Sequence, residues 1–328
     1  MKHGWLVNIL FLVSSNSQAQ KISEIRTDNR ISILDNKAWF RFPSSTKIIT
    51  KDATTFSALP GNASETKLVS TIDNKQLTFS ARELFLTCSG KDFFTTVTKD
   101  DQDEFVSKVL VDRDSIIAVY STPLQFDTTE SSIMINNLLV RMPDGTVFGM
   151  AAYVNKDGYD NRKVFQLLAE KTFASIEKGD RRVITTTHNE IYPIKGTTRH
   201  FSIEVPYGYA MSHETKDDLA ILHIQKIKDI ADTSIQELTI TTGADPAYTY
   251  SEYEFSEDNA KKVKVKFLET NDDWLYFGDD MRSFYLKEQK IPLDKIQKDM
   301  IIHISMEATS QSGLEELEKI VQKIRLME

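Results

Sequence analysis

Residues 39–45 read WFRFPSS and residues 201–209 read FSIEVPYGY. In both, apolar and polar positions alternate until a proline ends the run. Successive side chains of a strand point to opposite faces, so Phe201, Ile203 and Val205 share one side and Ser202 and Glu204 the other. A strand of this kind therefore opens two separate stretches of the chain.

The same period predicts further strands. Residues 76–88 (QLTFSARELFLTC), 115–120 (SIIAVY), 219–227 (LAILHIQKI) and 234–243 (SIQELTITTG) have strand-like apolar density. Residues 132–142 and 146–154 flank Pro143-Asp144-Gly145, whose chemistry suits a hairpin turn. The second of them is apolar on both sides, as expected of a central strand in a covered sheet. In KKVKVKFLE (261–269) Lys262, Lys264 and Lys266 alternate with Val263, Val265 and Phe267, giving one wet face. WLYFG, RSFYLKEQ and DMIIHISMEATS follow; the last places Met300, Ile302, Ile304, Met306 and Ala308 opposite Ile301, His303, Ser305 and Glu307.

Two segments change to a helical period. Phe165, Leu168, Ala169, Thr172, Phe173 and Ile176 recur at one-face spacing, with Lys178 and Gly179 as a cationic last turn and a stop. Leu314, Leu317, Ile320, Val321 and Ile324 form a second stripe, introduced by Ser312 and Glu315 in capping-box spacing. Each half thus runs from an alternating strand ending in Pro, through several strands, to an amphipathic helix. The expected fold class is α+β: two tandem domains, each a mostly antiparallel sheet covered by helices, including a C-terminal amphipathic helix. The expected boundaries are a lead-in at 20–36, a first domain at 37–178, a linker at 179–198 and a second domain at 199–328. The 328 residues suffice for two cores.

This order resembles the PsbP-like superfamily, which includes extrinsic photosystem subunits, Ran-binding Mog proteins, and DcrB-like and EagR-type bacterial proteins. The residues carrying the resemblance are Trp39-Phe40-Arg41-Phe42-Pro43 with Phe165 to Ile176, and Phe201 to Pro206 with Leu314 to Ile324. The resemblance implies an α/β/α sandwich and non-enzymatic binding, assembly or chaperone work. It carries over no catalytic residue, because the superfamily has no shared catalytic motif. Tyr207-Gly208-Tyr209 comes near the Gly-Trp expected after the first proline; Ser44-Ser45 departs from it.

Charge and composition narrow the setting. Forty basic against 48 acidic residues give a net charge of −8, with no long Lys/Arg run, so nucleic acid is not an expected partner. Residues 1–19 read as a secretory signal peptide. Lys2 precedes an apolar run from Trp5 to Val13, and Ser17 and Ala19 are small residues before Gln20. That run is too short to span a bilayer and no longer one follows, so stable membrane insertion is not expected. The protein is expected to be exported, periplasmic or secreted. Its single cysteine, Cys88, rules out an internal disulfide and reads as a buried core residue.

Catalytic signatures are absent: there is no G-x-S-x-G, H-E-x-x-H, Walker A or G-x-G-x-x-G motif, and no cofactor is expected. His200, His213 and His223 lack short-range ligand spacing, so they read as surface or edge residues rather than a metal site. His303 and Glu307 lie two pleats apart on the polar side of the last strand and form a candidate polar cluster, either an acid/base pair or a hydrogen-bonded one. KDDQDE (99–104) and ETNDDWLYFGDD (269–280) are acidic but match no calcium loop, so they read as exposed, solvated turns. Asn62-Ala63-Ser64 matches a glycosylation sequon.

The candidate partner surface is ADPAYTYSEYEF (244–255), with Tyr248, Tyr250 and Tyr253, together with Trp274. Tyrosines combine large contact area with a polar tip. The plainer reading is that these rings cover the sheet. The expected function is a non-catalytic binding or assembly module acting on envelope proteins. The alternatives are a hydrolase with a site between the domains, or a small-ligand carrier using the tyrosine segment.

Overall fold

The computed structural model describes residues 25–34, 36–49, 65–88, 93–99, 103–180, 187–216, 218–253, 255–268, 270–279, 281, 283–292 and 300–327. The proposed signal peptide and the sequon fall outside them, as do residues 100–102 of the first acidic cluster. The described residues fall into two compact units, 25–180 and 187–327.

In the first unit, β1 (Asn29–Ile33), β2 (Ala38–Phe42) and β10 (Glu177–Lys178) form a small antiparallel sheet ordered β1-β2-β10. A larger antiparallel sheet contains β3 (Lys47–Ile49), β4 (Glu65–Ile72), β5 (Lys75–Thr87), β6 (Phe105–Arg113), β7 (Ile116–Pro123), β8 (Ser132–Arg141) and β9 (Thr146–Asn155). Their order is β3-β4-β5-β9-β8-β7-β6. The central β9 buries Val147 on one side and Phe148, Met150, Ala152 and Val154 on the other. Helix Arg162–Ala174 lays Phe165, Leu168, Ala169 and Phe173 into the core, where Phe173 meets Phe79 edge-on at 5.9 Å.

In the second unit, β11 (His188–Pro193), β12 (His200–Val205) and β21 (Arg325–Met327) form the small sheet. The larger one uses β13 (Tyr209–Lys216), β14 (Leu219–Lys226), β16 (Gln236–Gly243), β17 (Lys261–Phe267), β18 (Thr270–Asp279), β19 (Phe284–Pro292) and β20 (Ile301–Ala308); β15 is the two-residue strand Lys228–Asp229. Its order is β13-β14-β16-β20-β19-β18-β17, the same path from strand to strand as in the first unit. Helix Gln311–Lys323 buries Leu314, Leu317, Ile320 and Val321 among Ile302, Ile304 and Met306.

These facts correct the expected fold class. The molecule is built mainly of antiparallel sheets, and among the described residues its helices are few and short, so neither unit is a helix-covered α+β sandwich. The reason lies in where the two opening strands, each legible from its own alternation, pack. β2 carries Phe40 and Phe42 onto the large sheet, where Phe40 meets Phe148 at 6.4 Å and Phe42 meets Phe79 at 5.2 Å. Phe201 of β12 sits 6.3 Å from Phe267 in the same way. Sheet packs on sheet where helix was expected.

Two further strands lie outside the expected domain bounds. β1 and β11 lie in stretches read as lead-in and linker, yet each is an edge strand of a small sheet. Helix Arg162–Ala174 ends before Lys178 and Gly179; Lys178 instead belongs to β10 and pairs with Ala38 of β2, and the Gly179 N–H donates to the Lys37 carbonyl at 3.1 Å. Helix Gln311–Lys323 is capped not by Ser312 but by Ser310, whose hydroxyl accepts the Gly313 N–H at 3.1 Å. The acidic stretch 269–280 is not an exposed turn: it contains β18, where Trp274, Leu275 and Phe277 are buried.

Candidate functional site

The second large sheet has a face turned away from its closing helix. Register places Glu237 opposite Glu307, Thr239 opposite Ser305 and Thr241 opposite His303. On the other side of β20, Leu286 lies opposite Glu307, Glu288 opposite Ser305 and Lys290 opposite His303. Leu275 and Phe277 of β18 continue the face beside Glu288 and Leu286. This face therefore sets an apolar patch beside a polar and ionisable one.

The connection from β16 to β17 starts in the middle of the sheet and ends at its edge, so it crosses this face. It does so in two short 3₁₀ turns, Thr249–Tyr253 and Glu257–Asn259. Tyr248, Tyr250, Tyr253 and Phe255 pack on Leu275, Phe277, Phe284 and Leu286 to form a separate apolar cluster. The rings make a continuous series. Tyr248 stacks on Tyr250 at 5.2 Å, Tyr250 lies 5.3 Å from Phe277, and Phe277 stacks on Phe255 at 5.2 Å. Phe255 in turn is 6.2 Å from Phe284, and Phe284 is 4.4 Å from Tyr253. Lys290 Nζ stands 4.1 Å from the Tyr248 ring centre, a cation–π contact. Outer parts of the tyrosines stay accessible to water.

Two carboxylates beneath hold this tyrosine cap. Glu288, fully buried, accepts the backbone N–H of Thr249 at 2.8 Å and of Tyr250 at 2.9 Å. It fills, from another strand, the place an N-cap side chain would take. His303 Nε2 lies 2.8 Å from the same carboxylate, and Tyr248 packs edge-on against the imidazole at 5.7 Å. Glu307 accepts the Tyr253 hydroxyl. Burial, with the charges of Glu237, Glu252 and Glu288, pushes the Glu307 carboxyl up to about 7, while the Tyr253 hydrogen bond opposes the rise. Burial and the Glu307 charge raise the Tyr253 phenol in turn.

These groups are hydrogen-bonded within the fold. His303 and Glu307 share the face but not a bond, each having its own partner. His223 Nδ1 sits 2.6 Å from Glu237 Oε1 and 3.3 Å from Thr239 Oγ1. Among the described residues, no group of three or more His, Cys, Asp or Glu is placed to hold a metal. His200 lies on the small sheet and His223 on the large one.

The structure thus brings together Tyr248, Tyr250, Tyr253, His303 and Glu307. It separates Trp274, which is fully buried in the main core on the other face, with no hydrogen-bond partner for its Nε1 among the described residues. Sequence reasoning missed Glu288, Phe255, Phe277 and Phe284. The available signal was SFYLKEQ, where Glu288 falls on the same period-two positions as Phe284 and Leu286.

No family model matches the chain, and no curated protein matches it. Among solved structures, the cyanobacterial PsbP (CyanoP) from Synechocystis sp. PCC 6803 is similar at 15% identity, over 46% of this chain and 91% of that one, with a TM-score of 0.26. The immunity protein TplEi of the T6SS from Pseudomonas aeruginosa is similar at 10% identity, over 90% of this chain and 96% of that one, with a TM-score of 0.24. Neither likeness is strong enough to assign a family or a function.

Proposed function

We propose that this protein is an exported, non-catalytic binding or assembly module that meets a protein partner in the cell envelope through the tyrosine cap of its second unit. The observation that carries this reading is the division of labour at the cap. The ionisable groups beneath are engaged in holding it, and its outward side offers accessible tyrosine rings beside Lys290. Rigid aromatic groups with polar tips supply contact area at low entropic cost. We read the repeated strand path as two PsbP-like domains in tandem. Export rests on the pattern of residues 1–19. Among the described residues no helix is long and apolar enough to cross a membrane.

The test is site-specific photo-crosslinking in the native envelope. A benzoylphenylalanine at Tyr250 should capture a discrete partner, and one at Lys264, on the exposed edge strand β17, should not. Tyr248→Ala should reduce that capture at least tenfold. Equal capture from both positions would move the contact surface elsewhere. Hydrolytic turnover by the purified protein that disappears in His303→Ala would replace this reading with an enzymatic one.

A further inference from the structure

We propose that Glu288 and Glu307 form a proton-operated latch, holding the tyrosine cap on the sheet in acid and releasing it as the pH rises through neutrality. The consequence for partner binding rests on the reading of the cap as the contact surface; the latch itself does not.

The geometry is specific. Glu288 on β19 and Glu307 on β20 come from neighbouring strands and grip opposite ends of one five-residue turn. Glu288 takes the N–H groups at its start, and Glu307 takes the hydroxyl of its last residue. So short a 3₁₀ turn does not hold its shape unaided.

The charges around Glu307 have one sign. Glu237 faces it from β16, Glu288 from β19 and Glu252 from the cap. The nearby cationic or imidazole groups already have partners: His223 with Glu237, His303 with Glu288, and Lys290 with the Tyr248 ring and with Asp245 at 3.9 Å. Ionising Glu307 therefore adds a fourth negative charge under the cap. Protonating it removes that repulsion and still leaves an oxygen for Tyr253.

The direction follows from linkage. With the cap closed, Glu307 keeps its proton up to about 7; exposed to water, it would lose it near the ordinary 4.5. Between those values the closed form binds more protons, so the closed-to-open ratio falls by up to about tenfold per pH unit.

The experiment is amide exchange at Thr249 and Tyr250 in the full chain between pH 5 and 7.5, corrected for intrinsic exchange chemistry. Protection should fall on the order of fifty-fold in the wild type. In Glu307→Gln it should stay level. In Tyr253→Phe protection should be lower throughout and its decline should move to higher pH, because the lost hydrogen bond favoured the ionised form. Protection that ignores pH in the wild type, or an equal decline in Glu307→Gln, overturns the latch, as does an unmoved decline in Tyr253→Phe. Exchange reads the latch without a partner and crosslinking through Tyr250 reads the partner, so either reading can fail alone.

Discussion

Glu288 Oε2 stands 2.8 Å from His303 Nε2, and both side chains are closed off from water. The carboxylate also takes the Thr249 and Tyr250 amides, so deleting it leaves three donors facing a gap. Orphaning buried donors costs more than the bonds themselves contribute. Glu288→Ala should lower stability by about 3 kcal/mol or more, and Glu288→Gln, which keeps the shape and one acceptor oxygen, by less. Urea midpoints compare the two; equal losses would mean that the carboxylate acts only as filler.

In the first unit, Lys37 and Glu83 form an ion pair inside the core, with side-chain exposures of 8% and 5%. Breaking a buried pair from one side should cost about 3–5 kcal/mol, as in Glu83→Gln. Replacing both partners, as Lys37→Met with Glu83→Leu, should recover most of that loss. A double variant no more stable than the single one would show that the pair itself contributes net stability.

The cap of helix Gln311–Lys323 separates two serines. Ser310 is extended at φ −143° and ψ 149° and caps the helix, while Ser312 lies within the first turn. Ser310→Ala should cost about 1 kcal/mol. Ser312→Ala should change stability by less than about 0.5 kcal/mol. Thermal unfolding of the two variants decides; the reverse order would restore the Ser312–Glu315 box.

What could be read from the chain was local. The hairpin β8–β9 is written in Asp144 and Gly145: Asp144 accepts the Thr146 N–H at 3.0 Å, and Gly145 takes a φ of +83° that favours glycine. β20 shows both its faces in its own alternation, which is why His303 and Glu307 stood out. β17 declares its wet edge with three lysines.

What could not be read depends on distant partners. β10 becomes a strand because β2 is there to pair with, Glu177 opposite Trp39. Gly179 looked like a helix stop, yet a side chain there would come within 1.8 Å of the Asn36 carbonyl oxygen, so the constraint is a backbone crossing. Glu288 reads as one acid in a strand until amides from 39 and 38 positions earlier close over it. Trp274 looked like a partner contact beside aspartates, but the alternation of β18 turns it inward and Asp273 outward to Lys264 at 2.9 Å.

The second unit carries two carboxylates that pull stability in opposite directions with pH. Glu316 is held below the usual range by hydrogen bonds from Lys226 and Gln236, with Tyr209 adding to them. Its contribution is present above the ordinary 4.5 and is lost as the pH falls. Glu307 does the reverse. The folded form keeps the proton up to about 7 and the unfolded form releases it near 4.5, so stability declines as the pH climbs through that window. At about 1.36 kcal/mol per unit, the decline is at most roughly 3 kcal/mol, and less to the extent that water reaches the side chain. Stability of the second unit should therefore peak near pH 4.5 rather than at neutrality. Urea titrations from pH 3.5 to 8, followed by exchange of the β20 amides, should show Glu307→Gln flattening only the alkaline limb and Glu316→Gln only the acid one. An alkaline limb that survives Glu307→Gln would assign the decline to another group and leave the Tyr253 contact an ordinary hydrogen bond.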